Sequence, residues 1–404
     1  MGPVAPRGWS PPASRGSSGG LRGLGEGLLN MPERRFDVTI RPFCKQDRPA
    51  VASLYARVFG ELEMTAFLRR WDWQFHRNPA SDAANCLMWV AEARGELAGF
   101  LASFPARFKL LENDAIIRLP CDLMVSTEAR GRGVGEKLIR AYTTSEDLIV
   151  NALGYTPAAG RMYHRLGYRE VHAERVRVRP CNLRPIIRDL LTRAHRRSGL
   201  DRFVSSVAGV SGRILNLGLW ALNRATAPVC SDRFEIRQCT AADAAFDELW
   251  QRVSPAFPIS AVRDSRWVQW RFLEDPCFEH ALLCGFDQGG RVLGYVDVRV
   301  SIRRKLRLGR ILDLFCDPGT PEVAESLIAA GIARLEAEGV DMITCLGHLP
   351  GLQRVIGKYC YLTPRRLQKP ALFLWKGEPD LANVVYDTNS WHLTHADGDD
   401  GFSP

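Results

Sequence analysis

Leu123-Met124-Val125-Ser126-Thr127-Glu128-Ala129-Arg130-Gly131-Arg132-Gly133-Val134-Gly135-Glu136-Lys137-Leu138-Ile139 runs without a gap from an apolar strand end, through a turn with three glycines, into an amphipathic helix. Glycines let the backbone curl so that successive N–H groups converge on one point. The first turn of the helix adds its unpaired N–H groups and the positive end of its dipole. Such a turn is a site for a pyrophosphate.

Two familiar phosphate loops do not fit. A Walker loop ends in Gly-Lys-Ser/Thr, and Gly135-Glu136-Lys137 does not supply it. A dinucleotide fingerprint needs G-x-G-x-x-G directly after its strand, whereas here Gly131, Gly133 and Gly135 alternate after the residues Ser126–Arg130.

The surroundings of the loop are an α/β pattern. Phe36–Arg41 alternates as a strand, and Asp47 opens a helical pattern through Val51, Leu54, Tyr55 and Val58. Strands are expected at Leu87–Ala91, Glu96–Ala102 and Ile116–Val125, the last broken by Pro120, with a turn at Ala93-Arg94-Gly95. After the loop come a helix over Gly133–Thr144, a strand Leu148–Ala152, a helix Ala158–Leu166 and one closing strand Glu170–Val178. This order implies a mixed sheet with helices on both faces.

The order then repeats. Phe36-Asp37-Val38 and Asp47 recur as Phe234-Glu235-Ile236 and Asp243, and Trp73-Gln74-Phe75 with Pro79 as Trp270-Arg271-Phe272 with Pro276. The hairpin around Gly99 recurs around Gly294, and Pro120-Cys121-Asp122-Leu123 as Ile311-Leu312-Asp313-Leu314, all at offsets within 191–198 residues. So steady a shift reads as an internal duplication.

The loop resembles the signature of the GNAT superfamily of N-acyltransferases, Arg/Gln-x-x-Gly-x-Gly/Ala after the fourth strand, which Arg130-x-x-Gly133-x-Gly135 matches in full. Tyr163-His164-Arg165-Leu166-Gly167-Tyr168 resembles the Tyr-x-x-Leu-Gly-Phe/Tyr segment that closes that fold. The resemblance covers Phe36–Arg179 and, more loosely, Phe234–Trp375. It implies a tandem protein, 36–180 a CoA-binding GNAT domain and 231–378 a degenerate GNAT-like copy; composition and pattern add a disordered 1–35, a helical linker 181–230 and a C-terminal tail 379–404. The tail, Asn389–Asp397, also resembles those of GNAT proteins linked to bacterial exopolysaccharide production.

The same resemblance implies roles. Acetyl-CoA would be the cosubstrate, and acetyl would pass to a small-molecule or peptide amine. Leu123, Met124 and Val125 would offer backbone groups to the pantetheine arm and the thioester carbonyl, where an N–H can stabilise an oxyanion. Arg130, Gly131, Arg132, Gly133, Val134 and Gly135 would hold the pyrophosphate. Thr156 stands where the family has an Asn that contacts CoA. Tyr163 would protonate the departing thiolate. Asp122, Glu128, His76 and His164 are candidates for the base, with Asp122 foremost; the recurrence of Asp122 as Asp313 gives it an architectural reading beside the catalytic one. In the second copy, Cys316-Asp317-Pro318-Gly319-Thr320-Pro321-Glu322 replaces the loop with two prolines and two acids, and should not bind a pyrophosphate. A non-catalytic scaffold and a transferase that uses aminoacyl-tRNA are the alternatives.

Composition sets the outer bounds. Forty-six per cent apolar and 25% charged residues are ordinary for a globular chain, and a net charge of +9 favours an anionic ligand. No Lys/Arg block has the density of a nucleic-acid arm, so no nucleic acid is expected as a partner. Eleven scattered cysteines without a C-x-x-C pair point to a reducing, cytoplasmic setting and no structural zinc. His392 and His395 beside Asp397, Asp399 and Asp400 read as a solvated acidic tail rather than a metal site. No apolar run of transmembrane length occurs. Arg184, Arg188, Arg193, Arg196 and Arg197 interleave with Ile186, Ile187, Leu190 and Leu191, and Phe203–Asn223 reads as an amphipathic helix. Packing between the domains is the first reading of 184–223, with peripheral membrane contact left open. Trp71, Trp73 and Phe75 could line an acceptor pocket, although their repetition favours core packing.

Overall fold

A computed structural model describes residues 37–82, 87–145, 149–171, 176–195, 215–226, 233–346, 350–364, 367 and 371–398. The expected disordered segment 1–35, all of 196–214 with the first part of the expected helix Phe203–Asn223, and Asp399 and Asp400 lie outside them. The described chain has the expected α/β character, with mixed sheets and helices built from two repeats.

The first repeat opens with β1 (Thr39–Pro42), α1 (Arg48–Phe59) and α2 (Glu61–Phe75). Helix α1 ends at Gly60, whose φ of 103° turns the chain directly into α2. Phe67, Trp71 and Phe75 recur every fourth residue along α2 and are buried, as is Trp73. These aromatics pack in the core, and Trp71 and Phe75 also border an opening lined by Phe43, Arg48 and His76.

Strands β2 (Met88–Ala93), β3 (Glu96–Leu110) and β4 (Asn113–Val125) form an antiparallel meander. Arg94 and Gly95, at φ 56° and 79°, make the tight turn between β2 and β3. Pro120 does not break β4; it pairs with Ser103 of β3. Among the described residues β4 pairs only with β3, so the missing N–H of Pro120 falls on an edge, where proline is tolerated. Next come α3 (Val134–Ser145), β5 (Ile149–Ala152), α4 (Pro157–Arg165), β6 (Arg169–Val171) and β7 (Val176–Pro180). Helix α3 lies close on β3: a Cβ on Gly99 would stand 2.9 Å from Leu138 Cδ1 and 3.1 Å from Val134 Cγ1.

Two helices, α5 (Leu183–His195) and α6 (residues 215–225), precede the second repeat. That repeat contains β8 (Glu235–Cys239), α7 (Ala244–Val253), β9 (Ile259–Ala261) and α8 (Ser265–Val268). It continues with β10 (His280–Phe286), β11 (Val292–Arg303), β12 (Leu306–Cys316), α9 (Pro321–Ala337) and β13 (Met342–Leu346). Helix α10 (Pro350–Tyr359), β14 (Ala371–Trp375), α11 (Ala382–Tyr386) and β15 (Trp391–His392) complete it.

The repeats exchange their closing strands. The single strand expected at Glu170–Val178 is two: β6 stays with the first repeat, while β7 crosses to pair antiparallel with β13 in the sheet β7-β13-β12-β11-β10-β8. In return β14 inserts between β5 and β6. Alternating sequence sets which face of a strand is apolar, not which neighbour it finds. The repeats are tied further by β9, which pairs with the far end of β3 and with β15.

The tail also differs from the sequence reading. Trp391, His392, Leu393, Thr394, His395, Ala396 and Asp397 are buried, and Asp397 receives hydrogen bonds from Arg263 at 2.8 and 3.0 Å. An acidic stretch reads as solvated only while its cation, 134 residues away, is out of view.

Candidate active site

The site begins at an irregularity in β4. Phe100 pairs with Met124 and Ala102 with Cys121, so Asp122 and Leu123 together oppose Leu101 alone. This is a β-bulge, and Asp122 takes a left-handed φ of 54° within it. Its carboxylate accepts from Arg70 of α2 at 2.5 and 3.1 Å, with both side chains almost wholly buried. Gln74, one helical turn further, also accepts from Arg70. Sequence reasoning passed over Arg70. An arginine between Phe67 and Trp71 on an aromatic helix face signals a buried acceptor, but not which residue supplies it.

Beyond the bulge, among the described residues, β4 and β5 do not pair; β5 belongs to the separate sheet β5-β14-β6. A cleft of about 120 Å³ lies there, with Pro120, Cys121, Asp122 and Leu123 on one wall. The other wall holds Gly154, Tyr155, Thr156, Ala159 and Tyr163. Four candidates from the sequence, Asp122, Leu123, Thr156 and Tyr163, therefore meet across one opening. Met124 and Val125 finish β4 just before the glycine turn and are not among the residues lining the cleft.

Helix α4 starts where its sequence says it should. Thr156 caps it by accepting from Ala159 N at 3.2 Å, and Pro157 follows at the first position. Two turns on from the cap, Tyr163 is buried, its ring 4.8 Å from Tyr168 and 6.3 Å from Tyr155. Tyr155 was not foreseen. It rests on Gly160, where a Cβ would come within 2.7 Å of its ring.

The glycine turn takes left-handed backbone twice, and two of its amides make long bonds inside it, Arg130 N to Thr127 O and Arg132 N to Ala129 O, both at 3.4 Å. Gly131 and Gly133 both sit at φ 76°, with Arg130 extended before them. Helix α3 then starts at Val134, so its first amides lack intrahelical acceptors. The flanking arginines brace the turn: Arg130 Nε donates to Val125 O at 3.3 Å and Arg132 Nε to Glu128 O at 3.1 Å. Glu136, in the first turn, would oppose an anion, but Arg165 binds it at 2.7 Å and holds its carboxyl below the usual range.

The remaining base candidates lie elsewhere. His164 is exposed and 3.1 Å from Glu170, and His76 caps α2 away from the cleft lining. Glu128 is held below the usual carboxylate range by its own backbone amide and the Ser126 hydroxyl.

In the second repeat the corresponding turn is closed on itself. The Asp317 carboxylate accepts from Gly319 N at 2.8 Å, and its carbonyl accepts from Thr320 N at 3.0 Å. Asp313, the counterpart of Asp122, is buried with Arg263, Tyr295 and, through Arg263, Asp397.

Residues 84–170 match the family model of the acetyltransferase (GNAT) domain. This match covers one part of the first repeat, and the fold of the whole chain is similar to a tandem of GNAT folds. A conserved protein from Enterococcus faecalis V583, described as a probable N-acyltransferase, is similar at 9% identity and TM-score 0.51 over 77% of this chain, which spans 65% of that one. A GCN5-related N-acetyltransferase from Anabaena variabilis is similar at 13% identity and TM-score 0.53, covering 84% of this chain and 73% of its own. A tandem GNAT protein from the clavulanic acid biosynthesis pathway is similar at 13% identity and TM-score 0.51, covering 85% of this chain and all of its own (100%). No curated protein matches the sequence.

Proposed function

We propose that the first repeat transfers an acyl group, with acetyl the favoured one, from acyl-CoA to an amine in the cleft between β4 and β5. The observation that carries this reading is the pair of left-handed glycines just before α3, in the turn that follows the strand forming the cleft wall. The amides from Arg130 to Gly135 would hold the pyrophosphate, and backbone groups of Leu123–Val125 and the Thr156 side chain the rest of the arm. A cleft of about 120 Å³ has room for a short acyl group.

Tyr163 is assigned as the proton donor to the departing thiol. Its support is its burial on the cleft wall opposite Asp122. Both Asp122 oxygens accept from Arg70, so we read Asp122 as positioning the bulge rather than as the base. The domain from 36 to 180 would carry the chemistry, completed by β14. The copy from 231 to 378, with its turn closed by Asp317, would shape the acceptor side without holding CoA.

Calorimetric titration with acetyl-CoA tests the reading. Saturable binding that Gly133→Glu abolishes supports it, and absence of binding favours a scaffold. Binding of aminoacyl-tRNA without CoA would favour the aminoacyl transferase. With an amine acceptor in a thiol-release assay, Tyr163→Phe should lower kcat by about 100-fold or more.

A further inference from the structure

The surface helix α6 has its polar side inward. Asn216, Leu219, Asn223 and Thr226 recur at spacings of three and four and face the protein body. Asn216 Oδ1 accepts from Leu183 N at 2.8 Å, and Asn216 Nδ2 donates to Asn182 Oδ1 at 3.0 Å. Asn223 Nδ2 donates to Pro180 O at 3.0 Å and its Oδ1 accepts from Tyr361 at 3.1 Å. The buried Arg179 donates to Asn223 O at 3.0 Å and to Thr226 Oγ1 at 3.2 Å. The helix is thus anchored by amides and a guanidinium.

The rest of its circumference carries the apolar residues. Leu215, Leu217, Trp220 and Leu222 are 49%, 70%, 63% and 45% exposed. An amphipathic helix on a water-facing surface has the opposite arrangement, and a contiguous exposed apolar face marks a contact. No acidic residue occurs from Leu215 to Thr226. Arg224 stands 5.7 Å over the Trp220 ring, and exposed Arg184 follows Leu183, whose amide Asn216 holds.

We infer that α6 seats the protein on an anionic lipid bilayer, with Leu217 and Trp220 entering the headgroup region and Arg184 and Arg224 meeting lipid phosphates. The choice of a lipid surface rests on charge and chemistry: tryptophan and leucine flanked by arginine suit the boundary between headgroup and acyl chain. Among the described residues no helix is long and apolar enough to cross a membrane, so the contact lies in the plane of the surface.

The test is flotation of the full chain with vesicles of phosphatidylglycerol and phosphatidylcholine, against vesicles of phosphatidylcholine alone. The chain should float with the anionic vesicles, and brominated lipid should quench its tryptophan emission. Leu217→Ser/Trp220→Ser should weaken binding by about tenfold or more and remove the quenching. Arg184→Glu/Arg224→Glu should weaken binding to anionic vesicles only. All four side chains are exposed, so both variants should melt with the parent. A chain that stays unbound, or binds neutral vesicles equally, overturns the inference. So does a dimer in sedimentation velocity that Leu217→Ser/Trp220→Ser dissolves, which would assign the face to a second copy.

Discussion

Trp73 and Trp270, equivalent residues of the two repeats, clasp each other. The indole of Trp73 donates to the carbonyl of Trp270 at 2.8 Å, the indole of Trp270 donates to the carbonyl of Trp73 at 2.9 Å, and the rings stack at 5.1 Å. A tryptophan kept in both copies of a duplication thus serves as the pseudo-symmetric bond between them.

Removing either donor leaves a buried carbonyl without its partner. Trp73→Phe and Trp270→Phe should each cost about 1–3 kcal/mol in urea unfolding. Their double mutant should lose less than the sum, because each removes half of one stacked unit. Strict additivity would mean that the two indoles act independently.

The left-handed glycines should matter through ligand binding more than through stability. Gly133→Ala meets no atom within 4 Å, so its cost is the left-handed φ, about 1–2 kcal/mol. Relaxing that strain rotates the amides, and acetyl-CoA should bind about tenfold more weakly. Gly95→Ala carries the same strain in the β2–β3 turn, at φ 79° and in open space, and should leave acetyl-CoA affinity unchanged. Equal affinity losses in calorimetry for both variants would remove the special role of the loop.

The tail should be part of the folded core. Arg263 is fully buried between Asp313 and Asp397; burial alone would lower its pKa, but the two carboxylates outweigh it and raise it. Asp397→Ala leaves a buried guanidinium short of one counter-charge, and should cost about 3 kcal/mol. Urea denaturation reads this directly. A change within about 0.5 kcal/mol, typical of surface sites, would return the tail to solvent.

A pH dependence follows from His280. Burial lowers its pKa, yet the charge of Asp297 at 2.8 Å and the hydrogen bond with Asp275 at 3.2 Å outweigh that and raise it above its ordinary 6.5. A raised histidine stabilises fully below the unfolded value and loses the contribution as pH climbs through the folded one. The ion pairs with Asp275 and Asp297 should therefore weaken as the medium is taken above pH 6.5, and stability should decline with them. Urea melts on the alkaline side of that value should show a negative slope, and His280→Gln should flatten it.

Much of this was legible because it is local. Thr156-Pro157 announces the start of α4, Arg94-Gly95 a tight turn, and Gly131 with Gly133 a left-handed loop before α3; each depends on backbone preferences within a few residues. The duplication was legible too, since it is a comparison of the chain with itself. The Arg70–Asp122 pair was not, because 52 residues separate the partners and the bulge that turns Asp122 inward has no sequence mark. For the same reason the sequence left Asp122 between a base and an architectural residue.

The sequence by itself determined the two repeats, the glycine turn and the opposite fate of the second turn, since glycine, proline and aspartate act on their own backbone. Only the tertiary structure decided that β7 and β14 change places, that the tail from Trp391 to Asp397 is buried, and that α6 turns Leu215, Leu217 and Leu222 outward. A strand or helix pattern sets which side chains share a face; the partner for that face is chosen by long-range packing, hydrogen bonding and charge pairing.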